Sequence, residues 1–337
     1  MKATKNPQTP TIYDVASLAG LSIATVSRVI NTPDKVQEET RAKVMAAVDE
    51  LGFVPKAEAR ARALRNSQRI GVLTPFFTAP SFVQRLRGVT SVLAALHYEM
   101  IIYTVDSLSR LKGYLANLPL KGELDGLIVM SLPIEQDEMR RLMESRLEIV
   151  SIETHQDAFS SVEIDDFAGG EMAANFLLEK GHRCFGFIGD MEPPDYAIQP
   201  VANRLRGFVH RLSAAGVSID PQAIRTSPYQ QEFSRQAAYQ LLSMPQRPTA
   251  IFAAADVQAI AVMKVAGDMG IKIPNELAVI GFDDLEMADY VGLSTISQSL
   301  DDSGRIAAEL LLSRLDDLDR PIQHVWLPLT VIERDTT

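Results

Sequence analysis

Residues 11 to 31 read TIYDVASLAGLSIATVSRVIN, two short amphipathic patterns that meet at Ala19-Gly20-Leu21. A helix, a tight turn holding a glycine and a second helix form the layout of a helix-turn-helix. Thr11 stands where a cap belongs, and Asp14 falls in the first turn, where the helix dipole favours an acid. Ile12, Val15, Ala16 and Leu18 supply the apolar side of the first helix. Leu21 fixes the turn, and Ser22 sits at the cap of the second helix, predicted over about Ile23 to Ile30. Its periodicity buries Val26, Val29 and Ile30 and leaves Ile23, Ala24, Thr25, Ser27 and Arg28 on the other face. A third helix follows Thr32-Pro33-Asp34 and runs from about Glu38 to Leu51. Val44, Ala47, Val48 and Leu51 complete a three-helix core, and Gly52 ends it.

Charge separates this head from the rest of the chain. The 337 residues carry a net charge of -10, yet residues 1 to 69 hold 11 basic against 7 acidic side chains, a net of +4. A basic head on an acidic body suits a protein that touches phosphate at one end only. Hydrophobic content of 46% and charged content of 23% are ordinary for a globular protein, and the length allows two or three domains. No apolar run reaches the ~18 residues of a membrane span. Residues 1–10 lack an apolar stretch and read as a disordered arm, not a secretory signal. The single cysteine, Cys184, allows no internal disulfide. The expectation is a cytoplasmic protein.

Further motifs extend the reading: ELGFVPKAEARARALRNSQRIGVL at 50–73, then GHRCFGFIGD, RLRGF and LAVIGFDD. With the opening stretch they make the chain resemble the LacI/GalR family of bacterial transcription repressors along nearly its whole length. The resemblance implies that the second helix enters the major groove of an operator. Ile23 and Ala24 are then the main specificity positions, with apolar contact to thymine methyl groups. Arg28 would read a guanine edge. Ser22, Thr25 and Ser27 would hold phosphates and set register, and Thr11, Tyr13 and Asn31 complete the expected DNA-contacting set.

Residues 55–69 resemble the family's hinge, a short helix that folds on the operator and lies in the minor groove. Ala59 and Arg62 are its expected contacts. The family wedges a leucine between base pairs seven residues after the proline, and here that position is Arg62. Three readings stand: Arg62 enters the minor groove electrostatically with a smaller bend, the helix shifts and presents Leu64 as the wedge, or Arg60, Arg62, Arg65 and Arg69 form a charged linker that only holds phosphate.

From Ile70 the pattern alternates strand and helix. Strands read IGVLTPF, MIIYT, DGLIVMS and EIVSIE, then CFGFIG, AIFAAAD and LAVIGFDD. Short apolar runs bracketed by helices imply parallel sheets covered on both faces. The expected architecture is therefore an all-α helix-turn-helix head (11–54), a hinge (55–69) and an α/β two-lobed body (70–337) like periplasmic binding proteins. Its N-lobe is about 70–164 and 296–323, its C-lobe about 165–295 and 324–337. Ligands of open parallel sheets lie beyond the carboxyl ends of strands. That rule selects Phe76, Ser81, Phe82, Asp166, Asp256, Asp283 and Gln298. The resemblance adds Arg204 as the ligand-binding arginine and Tyr229 as a stacking aromatic. An arginine, carboxylates and an aromatic plate suit a sugar or related polyol, and a nucleobase or nucleoside would also stack there. The family places an Asn before Asp256; here Ala255 stands there, which argues against a standard hexose.

No Gly-rich phosphate loop, GxSxG elbow or metal-ligand cluster is present in the sequence, so an enzyme is not expected and no cofactor is called for. His182 reads as structural. The resemblance implies a homodimer on a pseudo-palindromic double-stranded operator, controlled by a small-molecule effector. No heptad tail follows WLPLTVIER to support a tetramer.

Overall fold

The structure is a computed structural model describing residues 11–31, 36–51, 67–145, 147–192, 194–198, 200–227 and 231–337. The chain divides into two compact units, Met1–Gln68 with Lys121–Asp125, and Arg69–Leu120 with Gly126–Thr337.

The head holds α1 (Ile12–Ala19), α2 (Ile23–Asn31) and α3 (Glu38–Leu51). Thr11 donates from both its N–H and its hydroxyl to the Asp14 carboxylate, each at 2.7 Å, which fixes the start of α1. Those bonds hold the Asp14 carboxyl below its ordinary range. Gly20 ends α1 at φ +66°, a left-handed conformation that costs a glycine little, and Leu21 N–H bonds back to the Ala16 carbonyl. Ser22 Oγ accepts from Thr25 N–H at 3.1 Å and caps α2. α1 and α2 meet at a bend of 102°, within the range of helix-turn-helix pairs. Val15, Ala16, Val26, Val29, Val44 and Ala47 form the core. Leu18 departs from the expected apolar side: it is exposed, and Ala19 packs instead. Helix α1 is two turns long, so its buried stripe is narrow and the position next to it faces outward. The Ile30 side chain lies outside the described residues.

The body contains two six-stranded sheets. The first comprises β1 (Arg69–Thr74), β2 (Glu99–Thr104), β3 (Gly126–Met130), β4 (Glu148–Ile152), β5 (Ser160–Glu163) and β11 (His324–Trp326). All its strands are parallel, in the order β11-β5-β4-β3-β1-β2. The second comprises β6 (Phe185–Gly189), β7 (Ile224–Thr226), β8 (Ala250–Ala253), β9 (Ala278–Asp283), β10 (Ser294–Ser297) and β12 (Thr330–Ile332). Its order is β12-β10-β9-β8-β6-β7, with only β12 antiparallel. Within each sheet the first five strands follow the same doubly wound order, with a switch point at β1/β3 and at β6/β8. Val72, Ile128 and Val150 belong to a buried core of the first lobe, and the second lobe holds two, one with Phe187, Phe252 and Phe282 and one with Ile188, Ile251 and Val279.

The chain crosses between lobes three times, and two crossings fall later than expected. β10 lies wholly in the second sheet, so the crossing comes after Ser297 and not at 296. β11 pairs with β5, so residues 324–326 belong to the first lobe, and the crossing falls between Trp326 and Thr330. Pro328 explains the second shift. A proline cannot donate to a ladder, so it splits the apolar run into two strands that join different sheets.

Each lobe also holds a helix pair in unusually close approach. In the first lobe, α4 (Pro80–Ala95) packs on α12 (Leu300–Asp316); in the second, α7 (Asp166–Glu179) packs on α8 (Pro200–Ala214). A Cβ on Gly304 would lie 1.9 Å from the Arg85 carbonyl oxygen, and one on Gly170 the same distance from that of Arg204. Gly88 and Gly207, each three residues beyond its arginine, meet Asp301 and Phe167 in the same way. The two contacts are equivalent, and both arginine helices carry the string RLRG, at 85–88 and 204–207.

Candidate functional site

The carboxyl ends of both sheets border one cavity of about 560 Å³, counting its open mouth. Phe76 follows β1, Ser131 follows β3 and Glu153 follows β4. From the second lobe, Asp190 follows β6, Asp283 ends β9 and Gln298 follows β10. The close-packed helices supply Ser81, Phe82 and Arg85 from α4 and Arg204 from α8.

A hydrogen-bonded chain joins the lobes through this wall. Ser131 Oγ donates to Glu153, which also pairs with Arg85. Arg85 Nη2 donates to Gln298 Oε1 at 2.9 Å, and Gln298 Nε2 donates to Asp283 Oδ1 at 2.5 Å. The buried Arg85 Nε has no protein partner. Ser131, Glu153 and Asp283 have φ values of +57°, +68° and +124°. Such conformations cost of order 1–3 kcal/mol each in non-glycine residues and cluster where side chains must be aimed.

Arg204 is 3% exposed. Its Nε donates to Asp166 Oδ1 at 2.8 Å, its Nη1 donates to the Ala254 carbonyl at 2.7 Å, and its guanidinium lies 3.7 Å from the Phe282 ring centroid. Cation–π stacking and two directed bonds leave it one orientation. Burial pushes the Asp283 carboxyl up to about 6, against the pull of Arg204 and Arg85. Its Oδ1 accepts from Gln298 Nε2 in the structure. Burial also raises Asp166 and Asp190. Phe76 and Phe82 meet edge to face, 5.8 Å between centroids, and Ile198, Pro200 and Val201 add apolar wall.

Six of the nine expected effector residues therefore come together: Phe76, Ser81, Phe82, Arg204, Asp283 and Gln298. Asp166 stands behind the wall and orients Arg204. Tyr229 lies outside the described residues. Asp256 departs from the expectation. It is fully buried, and its carboxylate is consumed by Thr295 Oγ1 at 2.6 Å and Leu285 N–H at 2.8 Å. It is the first residue of α10 (Asp256–Asp268) and ties that helix to β10 and the loop after β9. Replacing Asp256 by Ala leaves two buried donors unmade and should lower stability by about 2–4 kcal/mol, with effector affinity of the folded protein unchanged. Chemical denaturation beside calorimetry checks this. Lost affinity at normal stability would return Asp256 to the site.

Sequence reasoning passed over Arg85, Ser131, Glu153 and Asp190. The strand-end rule, applied to β3, β4 and β6 as it was to β9, finds the last three. Arg85 was legible in the repeated RLRG string.

On the head, Tyr13 is 68% and Ile23 42% exposed, beside exposed Thr11, Ser22, Ala24 and Arg28; Thr25 and Ser27 are half-buried. These residues come from both helices and the turn. The Asn31 side chain and all of Ala59, Arg62 and Leu64 lie outside the described residues.

Comparison with known proteins agrees with both units. Residues 11–56 match the model of bacterial regulatory proteins of the lacI family, and residues 174–337 match a periplasmic binding protein-like domain. The HTH-type transcriptional repressor PurR of Proteus mirabilis is 32% identical over 332 residues, 96% of each chain. That of Photobacterium profundum is 33% identical over 313 residues, 91% of this chain and 92% of its own. Among solved structures, a LacI-family regulator from Silicibacter pomeroyi superimposes with a TM-score of 0.74 at 25% identity, covering 97% of this chain and 99% of that one. The lac repressor dimer bound to operator and the anti-inducer ONPF gives 0.69 at 25% identity over 98% and 99%. The cellobiose complex of the regulator CelR gives 0.68 at 26% over 97% and 100%. With a three-helix reading head, a two-lobed parallel-sheet body and full-length similarity to repressors, the chain belongs to the LacI family and is a DNA-binding transcriptional repressor.

Proposed function

We propose that this repressor is controlled by a neutral nucleobase or nucleoside held between the lobes, in place of the sugar or polyol that the residue types first suggested. The observation that carries the reading is the cavity wall itself. Asp283 accepts, Gln298 both donates and accepts, and Arg85 donates, all beside the paired rings of Phe76 and Phe82. Edge hydrogen bonding next to an apolar, aromatic surface matches a flat heterocycle. Two arginines face three carboxylates (Glu153, Asp190 and Asp283), so a phosphorylated effector is opposed. Ala255 is buried and offers no side-chain hydrogen bond to a sugar hydroxyl. The shared name of the relatives, PurR, points the same way.

The Ser131–Glu153–Arg85–Gln298–Asp283 chain supports a mechanism. A ligand that takes over bonds within it changes how the lobes are linked, and it shifts the equilibrium by its differential affinity for the two arrangements. Two heads of a homodimer then grip a pseudo-palindromic operator at a spacing set through the hinges. Calorimetry on the full-length protein with adenine, hypoxanthine, guanosine, ribose and cellobiose tests the reading. At least one purine is expected to bind and the two sugars are not. Binding of ribose or cellobiose without any purine overturns it.

In the head, Ile23, Ala24 and Arg28 are proposed to read bases. Arg28→Ala should weaken specific binding by roughly 1–3 kcal/mol and relax preference at one base pair of each half-site. A gel shift against an operator library measures this. Unchanged base preference removes Arg28 from the readout.

A further inference from the structure

We propose that His155, Glu163 and His324 form a binding site for a divalent transition-metal ion, with Zn²⁺ the occupant best suited to the donors. One potential ligand atom from each lies within 4.8 Å of the other two. Tetrahedral ligands about 2.1 Å from zinc stand roughly 3.4 Å apart, so modest side-chain rotation closes the set. Two imidazoles and one carboxylate favour zinc and its neighbours over magnesium or calcium, which take oxygen ligands.

The scaffold is rigid. β5 and β11 pair in parallel with His324 opposite Ser161 and Trp326 opposite Glu163. Ser161, Glu163 and His324 therefore share one face of the sheet edge. His155 comes from the loop after β4, pinned by Ser151 Oγ donating to the Thr154 carbonyl at 2.6 Å and by buried Phe159. The rings of His155 and His324 lie 4.4 Å apart between centroids.

Supporting groups are in place as well. His155 Nδ1 lies 2.8 Å from Glu163 Oε1, and its Nε2 lies 3.3 Å from Asp157 Oδ1. With Nδ1 on the metal, Nε2–H donates to Asp157, the carboxylate–histidine–metal relay that orients a ligand and raises its basicity. Ser161 Oγ sits between Glu163 and His324, 2.5 and 2.7 Å from them, and steadies both. Glu163 is buried while both histidines are exposed, so the ion has a charged floor and an open approach. The site is separate from the cavity. An ion there fastens β11 to the loop that starts after Glu153.

The test uses full-length protein stripped with chelator. Co²⁺ is titrated while visible absorption is followed, and Zn²⁺ is then added in competition. One equivalent of Co²⁺ displaced by Zn²⁺, and a higher melting temperature with Zn²⁺, are expected. His155→Gln and His324→Gln should each weaken binding at least tenfold and remove the thermal shift. Both side chains are exposed, so the metal-free melting temperature serves as the folding control. Asp157→Asn should weaken binding by a smaller factor. Absence of stoichiometric binding in the unmutated protein, or binding by both histidine variants as tight as that of the unmutated protein, overturns the proposal and leaves a plain hydrogen-bonded cluster.

Discussion

Arg204→Ala is expected to reduce effector affinity by roughly 100-fold or more, and to destabilise the body by about 3–5 kcal/mol, while the head still recognises its operator. The guanidinium is the counter-charge of Asp166 and lowers the cost of ionising Asp283. Without it, Asp166 and Asp283 lose a favourable charge while Glu153 still opposes the ionisation of both, and both take up protons more readily. The Ala254 carbonyl also loses its donor, and the Phe282 face loses its partner. Arg204→Lys keeps the charge but cannot make both directed bonds or stack as a plane, so it should recover stability better than affinity. Operator binding is expected to persist because, among the described residues, the three-helix core contains no body residue. Calorimetry with whichever of the purines named above binds the unmutated protein, denaturant unfolding and a gel shift separate the three effects. Normal ligand uptake by the Ala variant would mean that the cavity is not the effector site.

Gly170→Ala should cost about 3 kcal/mol or more, large for the addition of one methyl group. Its Cβ would stand 1.9 Å from the Arg204 carbonyl oxygen, so α7 and α8 must separate along their length. Because that carbonyl belongs to the cavity arginine, the shift also displaces the guanidinium, and effector affinity falls with stability. Gly304→Ala should act on Arg85 in the same manner from the other lobe, since its Cβ meets the Arg85 carbonyl. Gly267, in α10, is the control. A Cβ there meets nothing within 4 Å, so Gly267→Ala should stabilise by about 0.5–1 kcal/mol through helix propensity alone. Thermal melts of the three variants decide the matter. Similar small effects at all three positions would show that the close helix approach carries no energetic weight.

Local rules served well where local physics dominates. The head was legible because capping by Thr11 and Ser22, the glycine turn and two-turn periodicity are short-range. Among the described residues of the head, the one error, Leu18, came from the narrow stripe of a short helix, where a neighbouring apolar residue need not be buried. The strands of the body were legible as apolar runs, and the strand-end rule placed Asp283 and Gln298 in the cavity. It failed for Asp256 because the end of a strand does not reveal which way a helix-opening carboxylate turns. Here it turns toward Thr295 and Leu285, away from the cavity.

Short-range information in the chain therefore determined the helix-turn-helix, seven of the twelve body strands and the alternating α/β class, while the family resemblance supplied the candidate arginine. Capping, periodicity and apolar run length act within a few residues, so no partner need be known to read them. Pairing and approach over long separations were decided only in three dimensions. β11 joined β5 across some 160 residues and gathered His155, Glu163 and His324, which no spacing in the sequence relates. The Arg85–Gln298 bond spans 213 residues and joins the lobes into one site. Such contacts depend on which strand edges remain free and how closely helices can approach, and both are properties of the packed chain.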